Sequence, residues 1–190
     1  MPTFSWSEAY FQALSYSEAT KALAQYWHDL PRRENCLVPH RSDFKLTEIG
    51  PYLEETFISK FSKPDELIIL VSGSKLLDIL GDDITGKNIF KLVPFDNQQQ
   101  QIDYYSQLKA QPCAGALTRW GASLKDRPFV YRTMQLPLLS DTDEVEFFVG
   151  TGVIKTRHAS GDQLSRDHRV YVEQHAQIFV DVGAGVPATE

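Results

Sequence analysis

The side chains that could act as nucleophiles, metal ligands or general acids are scattered along this sequence. Cys36 and Cys113 lie far apart and fit no metal-ligand spacing, so they are expected to be two reduced thiols. The histidines are His28, His40, His158, His168 and His175, and all are expected outside the strands and helices of the core domain. His168 and His175, seven apart, would share one face of a helix yet sit too far apart to hold an ion alone. Ser72-Gly73-Ser74-Lys75 is not a G-x-S-x-G nucleophile elbow. The carboxylates cluster at Glu54-Glu55, at Asp82-Asp83 and over 141–146, where Asp and Glu have a local reason to sit in turns and at helix ends. Gly81, Gly86, Gly150 and Gly152 make no phosphate-cradling pattern. The expectation is therefore no catalytic residue, no bound metal and no cofactor.

Charge narrows the partners. The chain of 190 residues carries a net charge of −6, with an isoelectric point of about 5.4. A nucleic-acid binder needs a basic stripe to displace counterions from phosphates. The longest basic cluster here is Arg32-Arg33, followed at once by Glu34. Nucleic acid and anionic membrane are thus not expected partners. No run approaches the roughly 18 apolar residues of a membrane span. Met1–Tyr10 lacks the basic start and apolar run of a signal peptide, so the expected location is cytoplasmic.

The apolar spacing defines the elements that must position any site. Residues 1–14 are aromatic-rich and irregular. Ser15 with Glu18 resembles a capping box, and Ala19, Ala22, Leu23, Tyr26, Trp27 and Leu30 follow at helical spacing until Pro31. A connector with a short helix near Leu46–Ile49 comes next. Two strands follow, Thr56–Phe61 and Leu67–Ser72, joined by hairpin chemistry at Lys63-Pro64-Asp65. Short helices are predicted around Leu76–Leu80 and Ile89–Val93, and a longer one from Asp96 or Asn97 to about Gln111. Three strands close the core at Ala114–Ser123, Phe129–Leu139 and Val145–Ile154, linked by tight turns. Such turns require antiparallel neighbours. The fold class is α+β, a five-stranded antiparallel sheet with short helices on one face and an N-terminal amphipathic helix. The chain divides into 1–35, a core domain at 36–156, and a polar, partly disordered tail at 157–190. Val170–Val172 or Ile178–Val182 could add an edge strand.

Two strands, a helical middle and three strands is the element order of the PAS family, and Ser72–Val93 resembles its signature of a helix ending in Gly, an acidic turn and Gly-x-x-(Ile/Leu/Phe). Pro39, Arg41, Asp43, Phe44 and Ile49 are similar to the P-x-R-x-D-F…I lead-in of one bacterial branch of stand-alone PAS domains. Ile84-Thr85-Gly86-Lys87 and Leu136-Pro137-Leu138 match two further features of that branch. The resemblance spans about 37–155. Leu70 and Ser74 stand where the branch often carries Arg and Gly-Thr, so the arginine that would grip an anionic ligand is missing there.

The resemblance implies a sensory module that binds a small molecule in its core and signals through protein contacts, or else a ligand-free interaction and dimerisation domain. Light-sensing relatives carry a flavin-reactive Cys where Ile89 stands, and Ile has no nucleophile for an adduct. Haem-binding relatives hang a ligand, usually His, from the long helix, and 97–111 has none. Phe57, Ile89, Leu92, Tyr105, Trp120, Met134 and Phe148 would line the cavity or simply fill the core. Gly150 and Gly152, on one face of the last strand, would leave space there. Leu23, Tyr26, Trp27 and Leu30 would form a homodimer seam or fold back on their own subunit. Arg119, Tyr131 and Arg132 could place polar groups on the sheet, but strand parity alone does not say which face is inner. The 190 residues contain no kinase, cyclase or DNA-binding segment, so the signal is expected to pass to a separate partner protein.

Overall fold

The computed structural model describes residue 14 and residues 16–80, 83–93, 95–122, 128–156 and 171–188. The aromatic N-terminal segment, the predicted turn at Lys125–Arg127 and the whole of 157–170, with His158 and His168, lie outside the described residues.

Helix α1, Glu18–Asp29, begins two residues later than the sequence suggests, because Ser17 and not Ser15 caps it. The Thr20 amide donates to Ser17 Oγ at 3.2 Å, and the Ser17 amide donates to Thr20 Oγ1 at 2.8 Å. The helix stops at Leu30, held extended before Pro31. A 3-10 segment, Leu46–Glu55, fills the connector and extends beyond the short helix expected near Leu46–Ile49. Strands β1, Thr56–Lys63, and β2, Glu66–Ser72, form the expected hairpin. Helix α2, Ser74–Leu80, a 3-10 turn at Ile89–Leu92, and helix α3, Phe95–Ala110, make the helical middle. Strands β3, Ala114–Ala122, β4, Pro128–Leu139, and β5, Val145–Thr156, form the antiparallel meander.

The sheet has six strands and not five, in the order β2-β1-β5-β4-β3-β6. The sixth, β6 at Tyr171–Val180, comes from the segment read as tail and pairs antiparallel along the whole of β3. Its polar residues, Glu173, Gln174 and Gln177, hide the period-two signal, as an edge strand permits.

The two sheet faces bury different sets of side chains. The inner face, under α3 and the 3-10 turn, presents Phe57, Phe61, Phe148, Gln135, Thr133, Arg119 and Tyr131, as the pairings Phe57↔Gly150, Gly150↔Gln135 and Arg119↔Tyr131 require. The outer face presents Ile58, Val149, Leu136, Leu138 and Met134. Helix α1 covers this face with Ala19, Leu23, Ala24 and Trp27, all buried. The Trp27 indole donates to the Pro137 carbonyl at 2.7 Å. Pro137 lies past the end of the β3 ladder, which starts at Gly115↔Gln135, so a proline is tolerated there and its carbonyl is left for Trp27. The lead-in strand is tied on as well: Leu139 donates to Pro39 O at 2.9 Å and Arg41 to Leu139 O at 2.8 Å.

Candidate ligand-binding core

A polar cluster is buried where the inner face meets α3. Arg119 of β3 is 4% exposed. Its Nη1 donates to Thr133 Oγ1 at 3.2 Å. With the Gln101 amide oxygen turned inward from α3, that oxygen accepts from Arg119 Nε at 3.3 Å and also from Nη2. Gln135 Nε2 donates to Thr133 Oγ1 at 2.7 Å, and Tyr104 Oη donates to Gln135 Oε1 at 2.9 Å. Among the described residues every partner of Arg119 is a neutral oxygen, and no carboxylate pairs with it.

The surrounding tyrosines do not supply the missing negative charge. Burial pushes the phenols of Tyr104 and Tyr105 well above their ordinary value, and the guanidinium of Arg119 only partly opposes this. Tyr131 is pushed up to about 12 by burial. All three are neutral at physiological pH. The Tyr105 hydroxyl is fully buried and faces the Gln135 side chain without a hydrogen bond of good geometry.

Around this cluster the core is aromatic. Phe148 packs edge-on against Phe61 and Tyr105, with ring centroids 6.1 and 5.4 Å apart, and Tyr105 meets Phe90 at 5.8 Å. The structure thus brings Phe57, Tyr105 and Phe148 together on the inner side. Ile89 and Leu92 are only half-buried, and Phe90 between them enters the core. A 3-10 turn repeats every three residues, so Ile89 and Leu92 share one side of it, and Phe90, on another side, is the residue buried, with Ile89 packed against the edge of the core. Met134 is a correction: it pairs with Thr151, between Gln135 and Thr133, and so faces α1 across the sheet from Phe148. Trp120 pairs with Val130, and its side chain lies outside those described.

The glycine gaps are filled from within. A Cβ on Gly150 would collide with the Met134 carbonyl and, at 2.5 Å, with the Phe57 ring. A Cβ on Gly152 would meet Leu76 and the Tyr131 hydroxyl, each at 2.6 Å. Gly115 makes room for the Tyr104 hydroxyl. The expectation that these gaps hold open space is therefore corrected: small residues on the strand let large ones from other elements lie flat upon it. Arg119 corrects a second expectation. The branch arginine is absent from β2, but another arginine enters the same core from β3.

The seam residues are placed too. Leu23, Trp27 and Leu30 are buried against the sheet of their own chain, and Tyr26 Oη accepts from the Lys45 amide at 2.9 Å. An open groove of about 690 Å³ lies beside the β4–β5 turn, between it and Phe61, Lys63, Lys109 and Pro112.

No curated protein matches the chain. Among solved structures it is similar to the LOV protein of Rhodobacter sphaeroides, with 21% identity, a TM-score of 0.43, and 55% of this chain and 61% of that one covered. It is also similar to the PAS domain of BvgS from Bordetella pertussis, with 16% identity, a TM-score of 0.45, and coverage of 57% and 82%. The blue-light photoreceptor Aureochrome1 LOV in its dark structure matches at 14% identity and a TM-score of 0.45, covering 60% and 86%. Among the described residues no helix is long and apolar enough to cross a membrane. The PAS domain family profile matches residues 15–153, most of the sequence, and the chain belongs to the PAS domain family.

Proposed function

We propose that this PAS domain is a sensory module whose core receives a small anionic molecule, a carboxylate, on Arg119. The observation that carries the reading is a buried guanidinium with no anionic partner among the described residues. Burying a charge is costly unless it is paired. Gln101 offers one oxygen to Arg119 Nε and Nη2, the side of the guanidinium that a carboxylate would grip with two. A ligand carboxylate would displace this neutral stand-in, and the Tyr105 hydroxyl, only loosely held by Gln135, would donate to it. Both displaced and recruited residues lie on α3, so binding would shift that helix against the sheet and pass the signal to a partner protein. Of the residues predicted to line the cavity, Phe57, Tyr105 and Phe148 would form its apolar wall.

A thermal-shift series with small mono- and dicarboxylates, each beside its neutral amide, tests this. The wild type is expected to gain several degrees with at least one acid and none with its amide. Arg119→Gln should fold and lose that gain. Equal shifts for acid and amide, or a gain that survives in Arg119→Gln, would overturn it.

The second reading, a ligand-free interaction and dimerisation module, is favoured by the filled gaps over Gly150 and Gly152. It predicts no shift with any ligand.

A further inference from the structure

We propose that Cys36, His40 and Asp143 form a binding site for a zinc-class divalent ion, independent of the core reading above. The three residues come from the lead-in and the β4–β5 turn. One ligand atom from each, the Cys36 sulfur, an imidazole nitrogen and a carboxylate oxygen, lies within 4.8 Å of the others. Sulfur, nitrogen and oxygen together are a borderline donor set, which suits zinc better than calcium or magnesium. Three protein ligands with a fourth position left to water is a common zinc arrangement.

The backbone fixes two of the three before any ion arrives. His40 bridges to Leu139, flanked by the hydrogen bonds from Leu139 to Pro39 and from Arg41 to Leu139. Asp143 sits at φ +62°, in a turn closed by its own amide to Ser140 O at 3.2 Å and by the Ser140 amide to Glu144 O at 2.8 Å. A non-glycine residue in that region is strained, and such strain collects at functional positions.

The histidine is under-partnered. His40 is 1% exposed; its Nε2 meets Asp143 Oδ1 at 2.6 Å, while Nδ1 is buried with no hydrogen-bond partner among the described residues. Zinc ligands stand about 3–4 Å from one another around the ion. The His–Asp pair must therefore open slightly and the thiol move in. Asp143, 62% exposed, and half-buried Cys36 have the freedom to do so. Asp143 also borders the open groove, which gives the ion a route from solvent. On binding, the thiol proton is released and the thiolate sulfur becomes the ligand. The bound ion would clamp the segment 36–40 to the end of the sheet.

Cobalt(II) titrated into the full chain after chelator treatment tests this. One equivalent should produce a near-ultraviolet thiolate-to-cobalt charge-transfer band and visible bands of a tetrahedral ion, and zinc should abolish both. Cys36→Ser should lose the charge-transfer band. Asp143→Asn, an exposed change that leaves the fold intact, should weaken binding about tenfold or more. The absence of a band in wild type, a band retained in Cys36→Ser, or unchanged affinity in Asp143→Asn would each overturn the proposal.

Discussion

Arg119 decides how the molecule is read at the scale of single residues. Among the described residues its guanidinium is held only by amide and hydroxyl oxygens in an aromatic core, an arrangement that a ligand anion would complete. The two thiols make a sharper contrast. Cys113 is fully buried, and burial pushes its thiol up to about 12, while Cys36 is half-buried at the lead-in. Native protein at pH 8 should therefore react with a thiol reagent at Cys36 alone, with Cys113 reacting only after unfolding. Two fast equivalents would contradict the packing around Cys113. Gly150 makes a structural test. Gly150→Ala pushes a methyl into the Met134 carbonyl and the Phe57 ring, and is expected to destabilise by about 1–3 kcal/mol in urea unfolding. A neutral result would mean that the space is open after all.

At the scale of elements, α1 belongs to the core and does not wait for a partner to cover it. Trp27 is buried and hydrogen-bonded to Pro137, and the Arg32 guanidinium lies 4.7 Å from its ring centroid. Trp27→Ala should cost about 3–5 kcal/mol and Ser17→Ala about 1 kcal/mol, both measurable by denaturant unfolding. Much of this level was legible in advance. The spacing of Ala19, Leu23 and Trp27, the hairpin around Pro64 and the two tight turns of the meander gave element types and nearly their bounds. The cap was misplaced because Ser15 and Ser17 are both good caps, and only the geometry of Thr20 separates them. Strand β6 was underread because its polar residues do not alternate cleanly.

The candidate site was far less legible. Alternation along β3 and β4 places residues on two faces, but which face is inner depends on register with β5, which no local pattern specifies. Met134, expected on the inner side, therefore faces the other way, and the side of the sheet that Arg119 occupies follows only from the register. The approach of Cys36, His40 and Asp143 depends on a bridge between segments about a hundred residues apart, beyond any motif spacing.

For the whole molecule, the sheet separates two packed layers of different chemistry. The outer layer packs α1 on Leu136, Leu138 and Val149 and is mainly apolar. The inner layer carries the polar cluster, and α3 bears both Gln101 and Tyr105, so a ligand would act on the helix directly. Mass spectrometry of freshly purified protein, under native and then denaturing conditions, tests the central claim most directly. Extra mass of a small acid is expected on the native wild type, lost on denaturation and absent from Arg119→Gln. A bare subunit mass for the wild type, together with no stabilisation by any carboxylate, would contradict it and leave a core filled by its own side chains.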